Sequence, residues 1–237
     1  MKSILLALAL IAALASVSRA QTFTLTATSS AFLSGSNPTN NYGGAGALEV
    51  SATNSAKGNF DSVMEFNLAS VAGLTIQSIS IQLVTASPNN AIFNANAVGQ
   101  FSVIWMQDAT WVEGTGTPMS PTTNGITYNT LPNYLTPGSD ENIGTFTSSA
   151  VTSTTNTYSL TLASGFLNAL TSGSTVSLEV VPDDSNVSYL FNSATFTTAS
   201  ARPMLTVVAV PEPARLVHVG VGLLALVACR KRWPRRA

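Results

Sequence analysis

Between residues 21 and 209 apolar side chains recur at every second position, and this alternation is the strongest constraint on what the chain can fold into. Successive side chains of a strand point to opposite faces, so a period of two marks a strand with one buried face. Phe23, Leu25 and Ala27 alternate with threonines, and Leu48, Val50 and Ala52 follow the same rhythm. Ile79, Ile81 and Leu83 make the clearest amphipathic strand; Phe101, Val103 and Trp105, then Tyr158, Leu160 and Leu162, then Val176, Leu178 and Val180, repeat it. Phe32 with Leu33, Ile143 with Phe146, Tyr189–Phe191 and Met204–Val208 add shorter segments. Across Val63–Leu68, Val63, Glu65 and Asn67 fall on one face and Met64, Phe66 and Leu68 on the other, so the second set is expected to face the core. Ser164–Leu170 has helical spacing instead, with Ser164 as N-cap and Gly173 just beyond the end. Roughly ten strands, separated by turn-forming clusters such as 34–46, predict an all-β antiparallel sandwich or jelly roll with one short helix.

Thr and Val suit half-buried strands, and Asn, Gly and Ser suit turns, so the body's composition agrees with its periodicity. Its only cations are Lys57 and Arg202, against ten carboxylates, for a formal charge of −8. Such a balance excludes nucleic acid as a partner, because phosphate contacts need many Lys and Arg. The sole cysteine, Cys229, and the sole histidine, His218, lie beyond residue 209. The body therefore has no disulfide and is held by packing alone, which a single domain of this length can manage.

The two ends have a different character. Lys2, an apolar run from Ile4 to Ala15 and the small residues around Ala20 predict a signal peptide over 1–20, cut by signal peptidase. At the other end Pro211-Glu212-Pro213 breaks the chain, because both prolines lack an N–H and fix φ. An uncharged run from Leu216 to Cys229 and the cations Arg230, Lys231, Arg232, Arg235 and Arg236 complete a tail over 210–237. The positive-inside rule keeps those cations cytoplasmic and makes 214–229 a short transmembrane helix. In this order at a C-terminus, the three parts resemble the PEP-CTERM sorting signal of bacterial exported proteins. The resemblance implies an exosortase as partner, transient anchoring in the membrane, and removal of the tail near Pro211, Glu212 and Pro213. An apolar C-terminus without a sorting role is the other reading of the same residues.

A second resemblance spans 21–209. Asn40-Asn41-Tyr42-Gly43 precedes a strand, Ser62–Leu68 is a strand ending in Phe-x-Leu, and Ile79–Leu83 and Trp111-Val112-Glu113-Gly114 follow. Phe191-Asn192-Ser193 then stands ahead of the closing Arg202–Val207. In this order the pieces resemble the DNRLRE-type domain, grouped with carbohydrate-binding modules, one of whose families binds alginate. The chain has Ser62 where the pattern usually has Arg, and a long insert over 117–142. The family fold is a β-sandwich, and the likeness implies a glycan partner.

Without His or Cys, the body has no Ser-His-Asp or Cys-His machinery and no His-containing metal site. Paired acids suffice for glycoside hydrolysis, and Asp108 with Glu113, Asp140 with Glu141 and Asp183 with Asp184 are the available pairs. Asp183 and Asp184, with Asn186, also read as an oxygen-rich loop able to hold Ca²⁺, or equally as an acidic hairpin loop. An indole beside acids is the usual sugar-binding arrangement. Trp111 with Asp108, Glu113 and Tyr42 is therefore the expected ligand platform, with Tyr128 and Tyr134 as further loop aromatics. The alternative is that Trp111 plugs one end of the sandwich. Trp105 is in phase with Phe101 and Val103 and belongs to the core, and Arg202 is expected to pair with a carboxylate.

These readings lead to an expected function: an exported, non-enzymatic protein of the cell envelope or extracellular polysaccharide matrix, glycan-binding or adhesive, without a required cofactor. A structural matrix protein without ligand and a carboxylate-dependent polysaccharide enzyme are the alternatives. An acidic body suits a polyanion only if Ca²⁺ bridges the two.

Overall fold

The alternating segments form eleven strands in the computed structural model, which describes residues 19–52, 58–86, 97–148, 151–185 and 187–211. They are β1 (Gln21–Thr26), β2 (Ser29–Ser34), β3 (Ala47–Ser51), β4 (Phe60–Asn67), β5 (Leu74–Val84), β6 (Gln100–Met106), β7 (Glu141–Thr147), β8 (Thr155–Ser159), β9 (Thr175–Pro182), β10 (Ser188–Asn192) and β11 (Met204–Pro211). One helix, α1 (Ser164–Ser172), stands between β8 and β9. A four-stranded sheet has the order β1-β11-β5-β8, and a seven-stranded sheet runs β10-β3-β4-β9-β6-β7 with β2 also on β4. All the strand pairings are antiparallel. The expected all-β sandwich with one short helix is therefore the fold.

The inward faces of the two sheets meet in one core built from the predicted alternating residues, among them Met64, Phe66, Ile79, Ile81, Leu83, Phe101, Val103, Leu178 and Val207. Trp105 is in this core, as its phase required. Burial of these side chains is the main stabilising term for a domain without disulfides. The chain passes from one sheet to the other at Ala27–Thr28, where Ala27 N donates to Pro203 O, just ahead of β11 in the first sheet, and Thr28 N to Glu65 O of the second.

Three local expectations change. Ser164 is the first helical residue, with Ala163 at the cap position and no side-chain cap of its own. A carboxylate from another element caps this helix: Glu141 Oε1 accepts from Gly165 N at 2.9 Å and Oε2 from Phe166 N at 2.7 Å. At the end, Gly173 adopts the left-handed conformation (φ 71°) that glycine tolerates without a Cβ penalty. The strand expected to break before Pro211 includes it, paired with Leu74. At the last position the missing N–H costs nothing further along the ladder, because the ladder stops there. Glu212, Pro213 and the rest of the tail lie outside the described residues, as does the signal peptide up to Ser18. Among the described residues no helix is long and apolar enough to cross a membrane.

The third change concerns β4. Met64 and Phe66 face the core as expected, but Asp61, Val63 and Glu65 on the other face are buried too. A 34-residue connection between β6 and β7, residues 107–140, folds over that outer face and covers it. Trp111, Ile126 and Leu131 from this flap join Ala31, Leu33, Val63 and Met106 from the sheet in a second apolar cluster.

Candidate functional site

The flap decides the fate of the expected ligand platform. Trp111 is 4 % exposed, and its Nε1 donates a 2.7 Å hydrogen bond to Ser177 Oγ on β9. It is a cover residue seated on the sheet, which corrects the platform expectation; the plug alternative lies closer to the finding. A bare indole forfeits a large burial term, and the outer face offers Val63 and Met106 to receive it. Tyr42 is also buried, stacked on Phe32 with ring centroids 4.5 Å apart, and so is no platform either. Tyr128 and Tyr134 are partly buried against the second cluster.

Each acid singled out in the sequence accepts local hydrogen bonds. Asp108 Oδ1 takes Thr110 N at 2.8 Å and Thr110 Oγ1 at 2.7 Å. Glu113 Oε1 takes Ser30 N at 2.8 Å and so fastens the flap to β2. Asp140 holds Gln107 N and Thr136 N at the flap's two ends. Asp183 Oδ2 takes Ser102 Oγ and Asp184 Oδ2 takes Gln100 N, both at 2.6 Å, which ties the loop after β9 to β6. Among the described residues no three His, Cys, Asp or Glu side chains converge as metal ligands, and Asn186 lies outside them. Arg202 does not pair with a carboxylate: its Nε donates to Phe196 O at 2.7 Å.

Asn41 enters the sequence only within a turn-forming cluster and the Asn-Asn-Tyr-Gly piece, with no structural role assigned to its side chain. Its side chain is fully buried and fully used. Nδ2 donates to Glu113 O at 2.7 Å and Ile126 O at 2.8 Å, while Oδ1 accepts from Gly43 N at 3.2 Å and Gly116 N at 3.1 Å. One amide thus joins the loop before β3 to two separate turns of the flap. A Cβ at Gly116 would collide with the Asn41 carbonyl, so glycine is required for this approach. The Asn-Asn-Tyr-Gly stretch was a visible signal, but its partners lie some seventy or more residues away.

Beneath the flap lie buried carboxyls that, among the described residues, no cation faces. Glu179 on β9 is 4 % exposed and Asp61 on β4 is 7 % exposed. Burial pushes the Asp61 carboxyl up to about 7. Burial, then the negative charges of Asp61 and Asp140, push Glu179 up to about 8. Glu65 and Glu113 are raised as well, by burial first; a Ser29 hydrogen bond opposes the rise in Glu65, which neighbouring Glu113 reinforces. Glu65 Oε1 is buried without a hydrogen-bond partner.

An open groove of about 740 Å³ lies elsewhere, where the end of β5 meets β10 and the loops at 117–119 and 196–201. Val84, Leu190, Met119 and Phe196 supply apolar surface, while Thr85, Thr155 and Asn192 are among its polar groups. Among the described residues no Asp, Glu, Lys or Arg lines it. Met119 is 89 % exposed at its rim, an unusual position for a large apolar side chain in a body this polar. None of the residues expected for ligand binding falls in this groove.

Comparison with protein-family models finds no match, and comparison with curated proteins finds none.

Proposed function

We propose that this protein is an exported, non-enzymatic component of the cell envelope or extracellular matrix. In this reading its β-sandwich binds a neutral glycan in the groove at Val84, Met119, Leu190 and Phe196. The signal segment 1–20 and the tail 210–237 support export and sorting through an exosortase, with the transmembrane helix over 214–229 as a transient anchor and the tail removed near Pro211-Glu212-Pro213.

The binding half of the proposal rests on one observation: among the described residues the groove has apolar and hydroxyl-bearing walls and no charged side chain. Sugar rings present apolar C–H patches beside hydroxyls, so such walls match an uncharged polysaccharide. A polyanion would meet neither a cation in the groove nor attraction from a body of charge −8. The local hydrogen bonds of the six paired acids support the non-enzymatic reading.

Retention of the protein on immobilised polysaccharides, neutral and acidic, tests the binding half. Retention on a neutral polymer, lost in Phe196→Ala without a change in melting temperature, is expected. Failure to bind any polymer, with or without Ca²⁺, leaves the ligand-free matrix role. Mass spectrometry of protein recovered from its host tests the sorting half, and an intact 230–237 end on exported protein refutes processing.

A further inference from the structure

The outer face of the seven-stranded sheet carries a row of carboxyls set by register. Across β4 and β9, Val63 stands opposite Glu179 and Glu65 opposite Ser177; across β9 and β6, Glu179 stands opposite Ile104. Asp61 and Glu65 lie two residues to either side of Val63, so both are diagonal neighbours of Glu179, about 7–8 Å away. Among the described residues no hydrogen bond relieves the burial of Asp61 or Glu179. The flap adds Glu113, Asp140, Tyr128 and Tyr134 above the row. β2 and β6 bring only apolar and hydroxyl side chains to it, and β3 carries one more buried carboxyl, Glu49. The described arginines are elsewhere: Arg19 is exposed and Arg202 is bonded to Phe196.

We propose that the 107–140 flap is a proton-dependent cover, closed on the sheet while Asp61 and Glu179 are protonated and lifting when they ionise. Two ionised carboxylates on one dry face repel each other and demand water. The face can be wetted without opening the main core, because that core lies on the other side of the sheet. Among the described residues seven buried side chains hold the flap cluster against thirty in the main core, so lifting the flap is the cheaper opening. The pins that must release with it are Trp111 to Ser177 and Glu113 to Ser30. The raised values for Asp61 and Glu179 place the change near neutral pH rather than in the ordinary carboxylate range.

Hydrogen exchange of the full chain, corrected for the intrinsic pH dependence of amide exchange, tests this. Between about pH 6 and 8, protection over 107–140 is expected to fall by up to about tenfold per pH unit for each proton released on opening, and to level off above about pH 8, where the closed form is itself ionised. Amides of β5 and β11 should keep their protection over the same range. In the isosteric double variant Asp61→Asn with Glu179→Gln, flap protection should stay constant. Flat protection in the parent chain, loss in step with β5 and β11, or a pH dependence that survives in the double variant each overturns the proposal. Protection at pH 9 that returns only on adding Ca²⁺ overturns it in favour of a cation site.

Discussion

Trp111 Nε1 lies 2.7 Å from Ser177 Oγ, and this hydrogen bond fastens the first part of a 34-residue loop to a central strand of the larger sheet. The bond converts an expected ligand-binding indole into a structural one. Trp111→Ala should therefore destabilise the domain by about 3–5 kcal/mol, the same order as Trp105→Ala in the main core. Trp111→Phe keeps most of the buried area and should cost less. Urea unfolding of the three variants checks this, and a fully stable Trp111→Ala would show that the indole is not part of the packed cover.

Asn41→Ala removes four hydrogen bonds at once and orphans the carbonyls of Glu113 and Ile126 in a buried site. A buried polar group left without a partner costs about 1–3 kcal/mol, so a loss of at least about 3 kcal/mol is expected. Asn41→Asp should also destabilise, because a carboxylate cannot donate to either carbonyl. Differential scanning calorimetry would measure both, with limited proteolysis showing early cleavage within 107–140.

Stability should fall as pH rises, against the usual behaviour of acids held by salt bridges. The folded values for Asp61 and Glu179, about 7 and about 8, lie above the ordinary 3.8 and 4.5. Between those limits the folded state holds more protons than the unfolded chain, so their stabilisation is complete below about pH 4 and lost by about pH 8. The slope is at most about 1.4 kcal/mol per pH unit for each group. Unfolding midpoints at pH 5 and pH 8.5 check the sign, and Glu179→Gln should raise the higher-pH midpoint.

Glu141 has the opposite sign. Burial raises its carboxyl, but the Gly165 and Phe166 amides and the Ser164 hydroxyl outweigh that and hold it below its ordinary value. Its contribution is present above the unfolded value and lost as pH falls through the folded one. Glu141→Gln should cost about 0.5–1 kcal/mol at pH 7, a cap-sized effect reduced by solvent screening. The difference from the parent protein should shrink at low pH, measured by the same unfolding series.

The strands were readable because their information is local. Ile79, Ile81 and Leu83 announce a half-buried strand wherever they are placed, and Met64 and Phe66 were assigned to the core face before any partner was known. The second burial of β4 was not readable in the same way. Val63, Ala31 with Leu33 on β2, and Ile126 with Leu131 within the insert are the local signals of a second apolar surface. None of these residues names its partner, because the flap reaches the sheet across long separations in sequence. Nothing local to Asp61, Glu65 or Glu179 therefore marks them as buried.

By itself the sequence determined the all-β class, the positions of most strands, the one helix, and a body without histidine or cysteine. These follow from composition and from a side-chain period of two, properties of a chain segment on its own. Tertiary structure alone decided that Trp111 and Tyr42 face inward, that Asn41 joins two turns of the flap, and that an uncharged groove opens beside Met119. It also brought Asp61 and Glu179 together under a cover. A period of two tells which residues share a face; whether that face meets water or another part of the chain depends on contacts between distant segments.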